Sequence, residues 1–132
     1  MRKATIEDLS RCIELLKEED FRYCSGEYPN ENWISEFFNE HFYVLEIDNK
    51  IIGCYLATNI FLDGIYIWYI SVDISFRNKG YGDLILKEME NIHKEQNKNW
   101  FYFISPLKNI DFYTKRNFIP HHSVNKEFYK EF

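Results

Sequence analysis

Val72-Asp73-Ile74-Ser75-Phe76-Arg77-Asn78-Lys79-Gly80-Tyr81-Gly82-Asp83-Leu84 is the stretch from which the rest of the chain can be placed. The almost wholly apolar run Ile65 to Val72 leads into it, with the length and composition of a strand covered on both faces. A helical pattern leaves it from Asp83 to about Gln96, with Ile85, Met89 and Ile92 on one face. Between the two lies a polar loop whose glycines, Gly80 and Gly82, allow close backbone approach. Successive backbone N–H groups and the positive end of the helix then converge on one spot, which makes an anion cradle. Arg77 and Lys79 add charge-assisted hydrogen bonds suited to a pyrophosphate. The same residues also suit a plain strand-to-helix turn with solvated basic side chains.

Outward from this loop the elements fall into order. Thr5-Ile6-Glu7-Asp8 starts a first helix, capped by Thr5 and continued by Leu9, Cys12, Ile13 and Leu16 to about Lys17. Glu18 to Pro29 reads as a loop or broken helix, after which Asn30 caps a short helix carrying Trp33, Ile34, Phe37 and Phe38. Phe42–Ile47 and Ile51–Thr58 form a hairpin about Asp48-Asn49-Lys50, and Asp63-Gly64 turns the chain into Ile65–Val72. Beyond the long helix come a strand at Trp100–Ile104, a two-turn helix at Asn109–Arg116 ended by a left-handed Asn117, and closing strands at Phe118–His122 and Glu127–Phe132. This order predicts an α+β fold, a mixed and mostly antiparallel sheet flanked by helices.

The chain has 132 residues, 45% apolar and 28% charged, which predicts one domain over residues 1–132 burying roughly two thirds of its unfolded surface. A net charge of −5 leaves no basic field for nucleic acid or an anionic membrane, and favours amine-bearing partners. Cys12, Cys24 and Cys54 have no metal-type spacing and no apolar leader is visible, so reduced thiols and a cytoplasmic location are expected. His41, His93, His121 and His122 likewise show no metal spacing, and no metal is assigned. Aromatics reach 19%, but Ile, Asn and Lys are also plentiful, so compositional bias explains the excess better than an aromatic ligand pocket.

Known motifs sort the loop further. It lacks the third glycine of the dinucleotide fingerprint and the Gly-Lys-Ser/Thr ending of a nucleotide-binding loop. Lys79-Gly80-Tyr81-Gly82 opens like the RNA-recognition signature, but Asp83 stands where that signature needs a stacking aromatic. The segment resembles the acetyl-CoA signature of the GNAT superfamily of N-acetyltransferases, Arg/Gln-x-x-Gly-x-Gly/Ala, through Arg77, Gly80 and Gly82. Asp111-Phe112-Tyr113-Thr114-Lys115-Arg116-Asn117-Phe118 is similar to that family's Phe-Tyr-x-Lys-x-Gly-Phe, and Arg2 to Leu9 to its first strand and helix.

The resemblance implies a sheet split between two central strands that diverge after Val72, with the pantetheine arm of acetyl-CoA in the gap. Main-chain groups of Ile70, Ser71 and Val72 would hold that arm. Backbone N–H groups along Arg77, Asn78, Lys79, Gly80, Tyr81 and Gly82 would take the pyrophosphate, and Asn109 would hydrogen-bond the cofactor. Tyr113 matches the tyrosine that protonates the departing thiolate. The implied reaction is direct attack of a neutral primary amine on the thioester, with backbone N–H groups holding the oxyanion. A tyrosine of pKa about 10 can supply a proton to a thiolate of pKa about 8.5 at small cost. Neutralising an amine of pKa about 10.4 at pH 7 costs about 4.6 kcal/mol, so the nucleophile needs help.

Three departures from the family pattern stand out. Many members carry a glutamate in the strand before the loop, whereas Ile65–Val72 holds no acid. Asp73 is the nearest carboxylate and is read as a turn residue, with Tyr66, Tyr69 or Ser71 as groups that could order a water. The base is left unassigned. Pro106 and Asn109 replace the family's Asn and Ala before the tyrosine, and Asn117 replaces the glycine of the closing motif. The acceptor region is expected around Asp20, Glu27 and Tyr28, taking a small-molecule or peptide amine, with Tyr28, Tyr66 and Tyr69 on the cleft wall. The missing glutamate keeps a rival open, an acyl-CoA-binding sensor without turnover. A homodimer is one option for the assembly.

Overall fold

The computed structural model describes residues 1–18, 30–104, 110–120 and 127–132. Seven strands form one sheet in the order β1-β2-β3-β4-β5-β7-β6: β1 Arg2–Lys3, β2 His41–Ile47, β3 Lys50–Ile60, β4 Gly64–Val72, β5 Trp100–Ile104, β6 Ile119–Pro120 and β7 Glu127–Glu131. Every neighbouring pair is antiparallel except β4 with β5. The helices are α1 Leu9–Glu18, α2 Glu31–Ser35, α3 Tyr81–Glu95 and α4 Ile110–Thr114. The mixed, mostly antiparallel sheet flanked by helices is the architecture expected from the element order.

Local chemistry accounts for most boundaries. A 3₁₀ turn, Ile6–Asp8, precedes α1, because the Asp8 carboxylate reaches back to the Thr5 backbone N–H at 2.7 Å and pairs with Arg2 at 2.7 Å. Asn30 caps α2 by accepting the Trp33 N–H at 3.0 Å. Asp48 and Asn49 both have positive φ, 51° and 65°, as a two-residue hairpin requires, so Lys50 already pairs with Ile47 inside the ladder. Gly64 opens β4 because nothing larger fits: a Cβ there would stand 2.4 Å from the Trp100 ring. Asn117 takes the left-handed conformation, φ 66°, just past α4.

Two apolar layers sandwich the sheet. On one face Leu9, Cys12, Leu15 and Leu16 of α1 join Ile34, Phe37, Val44, Cys54 and Leu56. On the other, Ile85, Leu86 and Met89 of α3 pack on Ile52, Tyr55, Ile65, Ile67, Val72 and Phe101. A polar thread runs through this second layer: buried His93 meets the Tyr55 hydroxyl at 3.1 Å through Nε2 and Gln96 Oε1 at 3.1 Å through Nδ1.

The central seam departs from expectation. β4 and β5 pair only at Gly64↔Trp100, Ile65↔Phe101 and Tyr66↔Tyr102, so they part after Tyr66 rather than after Val72. The cause is a register shift against β3, where Leu56 faces Tyr69 and Ala57 faces Ile67, leaving Trp68 as an extra residue. Such a bulge bends and twists its strand, here away from β5. α3 also begins at Tyr81, two residues before the expected Asp83, because Gly80 rather than a side-chain cap starts it.

Candidate active site

The open seam exposes a particular set of backbone groups. Asp73 N–H donates to Ile52 O at 2.7 Å, which makes these two a hydrogen-bonded pair. Antiparallel alternation then turns the main chain of Ser71 and Tyr69 toward β3, and that of Ile70 and Val72 toward the wedge. The Val72 carbonyl accepts Arg77 Nε at 3.1 Å, in keeping with this direction. Ile70 and Val72 thus present amide groups along the edge that β5 has left. Ser71 does not share this role through its side chain, since its buried hydroxyl donates to Leu15 O at 2.9 Å, one of the carbonyls that the end of α1 leaves unsatisfied.

The loop continues from that edge. Asp73 accepts the Ser75 N–H at 2.8 Å and caps a 3₁₀ turn, Ile74–Phe76. It is also ion-paired with Arg11, and the Ser75 hydrogen bond together with Arg11 holds its carboxyl below the ordinary carboxylate range. A carboxylate held this way is a weak proton acceptor, in agreement with its reading as a turn residue. Asn78, Lys79 and Gly80 are exposed, with Asn78 and Gly80 at positive φ, 62° and 87°. No atom lies within 4 Å of where a Gly80 Cβ would stand, so the backbone is bare on that side at the start of α3. Lys79 Nζ lies 5.4 Å from the Phe76 ring, and Tyr81 is half-buried against the α3 core.

Gly82 faces α4: a Cβ there would lie 3.4 Å from Phe112 Cζ. Arg116 completes this junction, stacking 3.7 Å over Phe112, donating to its carbonyl at 2.8 Å and to Asp83 Oδ1 at 3.0 Å. Tyr113, the next residue after Phe112, packs on Phe103 of β5 at 4.6 Å between ring centroids. The structure therefore gathers Ile70, Val72, Arg77 and the 78–82 backbone on the β4 side of the wedge, and Tyr113 on the β5 side. Asn109, Asp20, Glu27, Tyr28, His121 and His122 lie outside the described residues.

Some of the arrangement has no sequence signature. The Arg116 tether that fixes α4 to α3 joins two segments with no periodic relation, and the Trp68 bulge carries no glycine or proline to announce it. A separate cavity of about 300 Å3 lies between α3, α4 and β7, with Lys87 and Arg116 paired to Asp83 and Lys130 to Glu90. Lys115 lines it as well, so four cationic side chains face two carboxylates, and no residue of the 70–82 segment lines it. Among the described residues no three His, Cys, Asp or Glu side chains converge to hold a metal ion, and no helix is long and apolar enough to cross a membrane.

A sequence search of curated proteins gives no match. Solved structures resemble the fold closely at low identity. Ard1 from Thermoplasma volcanium superposes with a TM-score of 0.84 at 18% identity, over 98% of this chain and 95% of that one. The PaiA N-acetyltransferase from Thermoplasma acidophilum, solved with coenzyme A, gives 0.78 at 23% over 99% and 97%. N-acetylglutamate synthase from Neisseria gonorrhoeae, solved with coenzyme A and N-acetyl-glutamate, gives 0.83 at 15% over 98% of this chain and 34% of that one. At the sequence level, the family model described as an acetyltransferase (GNAT) domain matches residues 38–120, which include the bulged strand, the glycine loop and Tyr113. More than half of the chain is matched in this way, and it belongs to the acetyltransferase (GNAT) domain family.

Proposed function

We propose that residues 1–132 form one acetyl-CoA-dependent N-acetyltransferase domain acting on a primary amine in a ternary complex. The observation that carries this is the early end of the β4–β5 seam, which leaves the Ile70 and Val72 main chain facing a wedge that leads to the bare Gly80 backbone. Coenzyme A in two of the similar structures supports the same ligand here. Ile70 and Val72 would pair with the pantetheine amides, and the N–H groups from Arg77 to Gly82 would take the pyrophosphate at the start of α3. The thioester supplies an activated acetyl group.

The chain's own residues then divide the work. Backbone N–H groups on the β4 edge face the developing oxyanion, fixed in place by the sheet before the reaction starts. The amine nitrogen forms a bond to the acetyl carbon, the C–S bond breaks, and the amine loses its proton to water. Tyr113, held on β5 by Phe103, donates its hydroxyl proton to the leaving thiolate and recovers one from solvent. The buried thiols Cys12 and Cys54 fit a cytoplasmic setting.

A second reading has one observation in its favour: β4 holds no acid and Asp73 is committed to Arg11 and Ser75, which suits an acyl-CoA sensor without turnover. Release of free CoA thiol from acetyl-CoA over a panel of amines separates the two. Amine-dependent thiol supports the enzyme; tight acetyl-CoA binding with no thiol from any amine supports the sensor.

A further inference from the structure

The bulge that turns β4 away from β5 also changes which side chains the strand shows. Tyr66 and Trp68 share a face by ordinary alternation, and the extra residue brings Tyr69 to that face too. Trp33 of α2 accordingly meets both Trp68 and Tyr69, at 5.6 and 5.7 Å between ring centroids. Tyr66 lies 4.8 Å from Trp68 and 5.9 Å from Tyr102, its partner in the last rung of the seam. A continuous aromatic wall therefore runs from the closed end of the wedge along its α2 side, opposite α3 and the Gly80 loop. Trp68 is the most open of these, 43% exposed, with its indole N–H held by Thr58 Oγ1 at 2.9 Å.

The elements that carry the wall hold charges of one sign among the described residues. No lysine or arginine occurs among residues 30–49, in β4 or in β5. The α2 segment and the 3₁₀ turn and loop after it carry Glu31, Glu36 and Glu40, all exposed. Glu40 Oε2 lies 3.4 Å from the Asn59 backbone and side-chain nitrogens, next to the Thr58 that holds Trp68. Aromatic faces attract cations through their quadrupole, and the acidic rim adds to that field. A carboxylate would meet no basic side chain from these elements.

We propose that the acceptor is a primary amine with a second cationic centre and no carboxylate, a diamine or polyamine, whose remote ammonium lies against Trp68 and Trp33 while its other amine reaches the wedge. This rests on the acetyltransferase reading. The remote ammonium takes no part in bond making, so the reaction stays balanced: one amine is acetylated and one CoA thiol is released.

Three amines isolate the remote group. 1,4-Diaminobutane, n-butylamine and 4-aminobutanoate share the reacting amine and chain length. In the thiol-release assay kcat/KM for diaminobutane should exceed that for butylamine by roughly 2- to 30-fold, the span of a cation–π contact, with aminobutanoate lowest. Trp68→Leu keeps apolar bulk but removes the indole, and should bring the diaminobutane-to-butylamine ratio toward one. Trp68→Phe keeps a π face and should restore much of the ratio, which guards against a folding defect in the leucine variant. Equal rates for diaminobutane and butylamine, or a ratio unmoved by Trp68→Leu, would overturn the proposal. Titrating diaminobutane against tryptophan fluorescence tests the wall without chemistry. A saturable change lost in Trp68→Leu, with no thiol from any amine, would uphold the cation site and overturn the acetyltransferase reading instead.

Discussion

Between pH 6.5 and 4.5 acidification should destabilise this protein through His93, before the carboxylates with lowered pKa begin to lose their contributions. It is fully buried on the inner face of α3, and burial pulls it from an ordinary 6.5 to about 4. His41 from β2 stands 4.7 Å away ring to ring, Phe101 from β5 5.6 Å, and Lys98 adds like charge, while Tyr55 and Gln96 occupy the two ring nitrogens. The Gln96 oxygen only accepts, so Nδ1 carries the proton and Nε2 accepts from the Tyr55 hydroxyl. The neutral ring is then satisfied at both nitrogens. Above pH 6.5 His93 is neutral folded or unfolded and its contribution is fully present. Between pH 6.5 and 4 the unfolded chain takes a proton that the folded one refuses, so stability falls with pH. A shift of 2.5 units at about 1.36 kcal/mol each amounts to roughly 3 kcal/mol, or about 12 °C in Tm for a chain of this size. Asp8, held at about 2 chiefly by Arg2, loses its contribution only below its ordinary 3.8, outside that window. Calorimetric melting from pH 7 to 4 in steps reads the slope, and His93→Gln, which keeps polar groups without the titration, should flatten it. Parallel Tm profiles for the wild-type and variant proteins would refute the reasoning.

Three further outcomes follow from the site. Gly80→Ala meets no atom within 4 Å but forces a side chain into φ 87°, so stability should drop by about 1 kcal/mol in chemical denaturation and acetyl-CoA should bind more weakly in calorimetric titration. Unchanged affinity would remove the Gly80 backbone from the phosphate site. Tyr113→Phe should lower kcat roughly 10²-fold or more with acetyl-CoA affinity little changed, and an unaltered rate would take Tyr113 out of the proton transfer. Ser71→Ala should cost about 1–3 kcal/mol by stranding the Leu15 carbonyl, yet leave KM for acetyl-CoA near its starting value, because the lost hydroxyl faces α1. A raised KM with intact stability would reverse that assignment.

The parts of this molecule that short-range chemistry decides were readable from residues alone. Asp48-Asn49 announces its own hairpin, Asn30 its own cap, and Gly80 a bare stretch of backbone; the apolar run before Asp73 announces a strand, though one buried at its ends and open at Trp68. Features that depend on partners distant in the chain were not. The seam was expected to open after Val72 and opens at Tyr66, because the bulge that opens it is a mismatch of length between β3 and β4 and leaves no trace in composition. Helical spacing put Ile85, Met89 and Ile92 inward, and it has no way to show that His93 follows them in with two polar partners waiting. Ser71 was grouped with its neighbours as a cofactor contact, yet the side-chain alternation that separates it from Ile70 and Val72 sends its hydroxyl to α1. The aromatic excess read as compositional bias, and for most rings core packing agrees. Trp33, Tyr66, Trp68 and Tyr69 assemble only when the bulge has formed.

The three rungs between β4 and β5 divide the sheet into leaves of unequal cohesion. In the N-terminal leaf β2, β3 and β4 are consecutive hairpins whose partners are close in sequence, the kind of pairing that forms early, while β1 joins β2 from about forty residues away. The C-terminal leaf hangs on the short seam, pinned where the Trp100 ring lies across Gly64 and its indole N–H reaches Asp63 at 3.1 Å. An extended, amide-bearing guest seated along β4 would act as the strand that the architecture omits, adding hydrogen bonds along the edge that β5 leaves after Tyr66. Occupancy would then stiffen the joint between the two leaves, and the resting molecule would be the looser of the two forms.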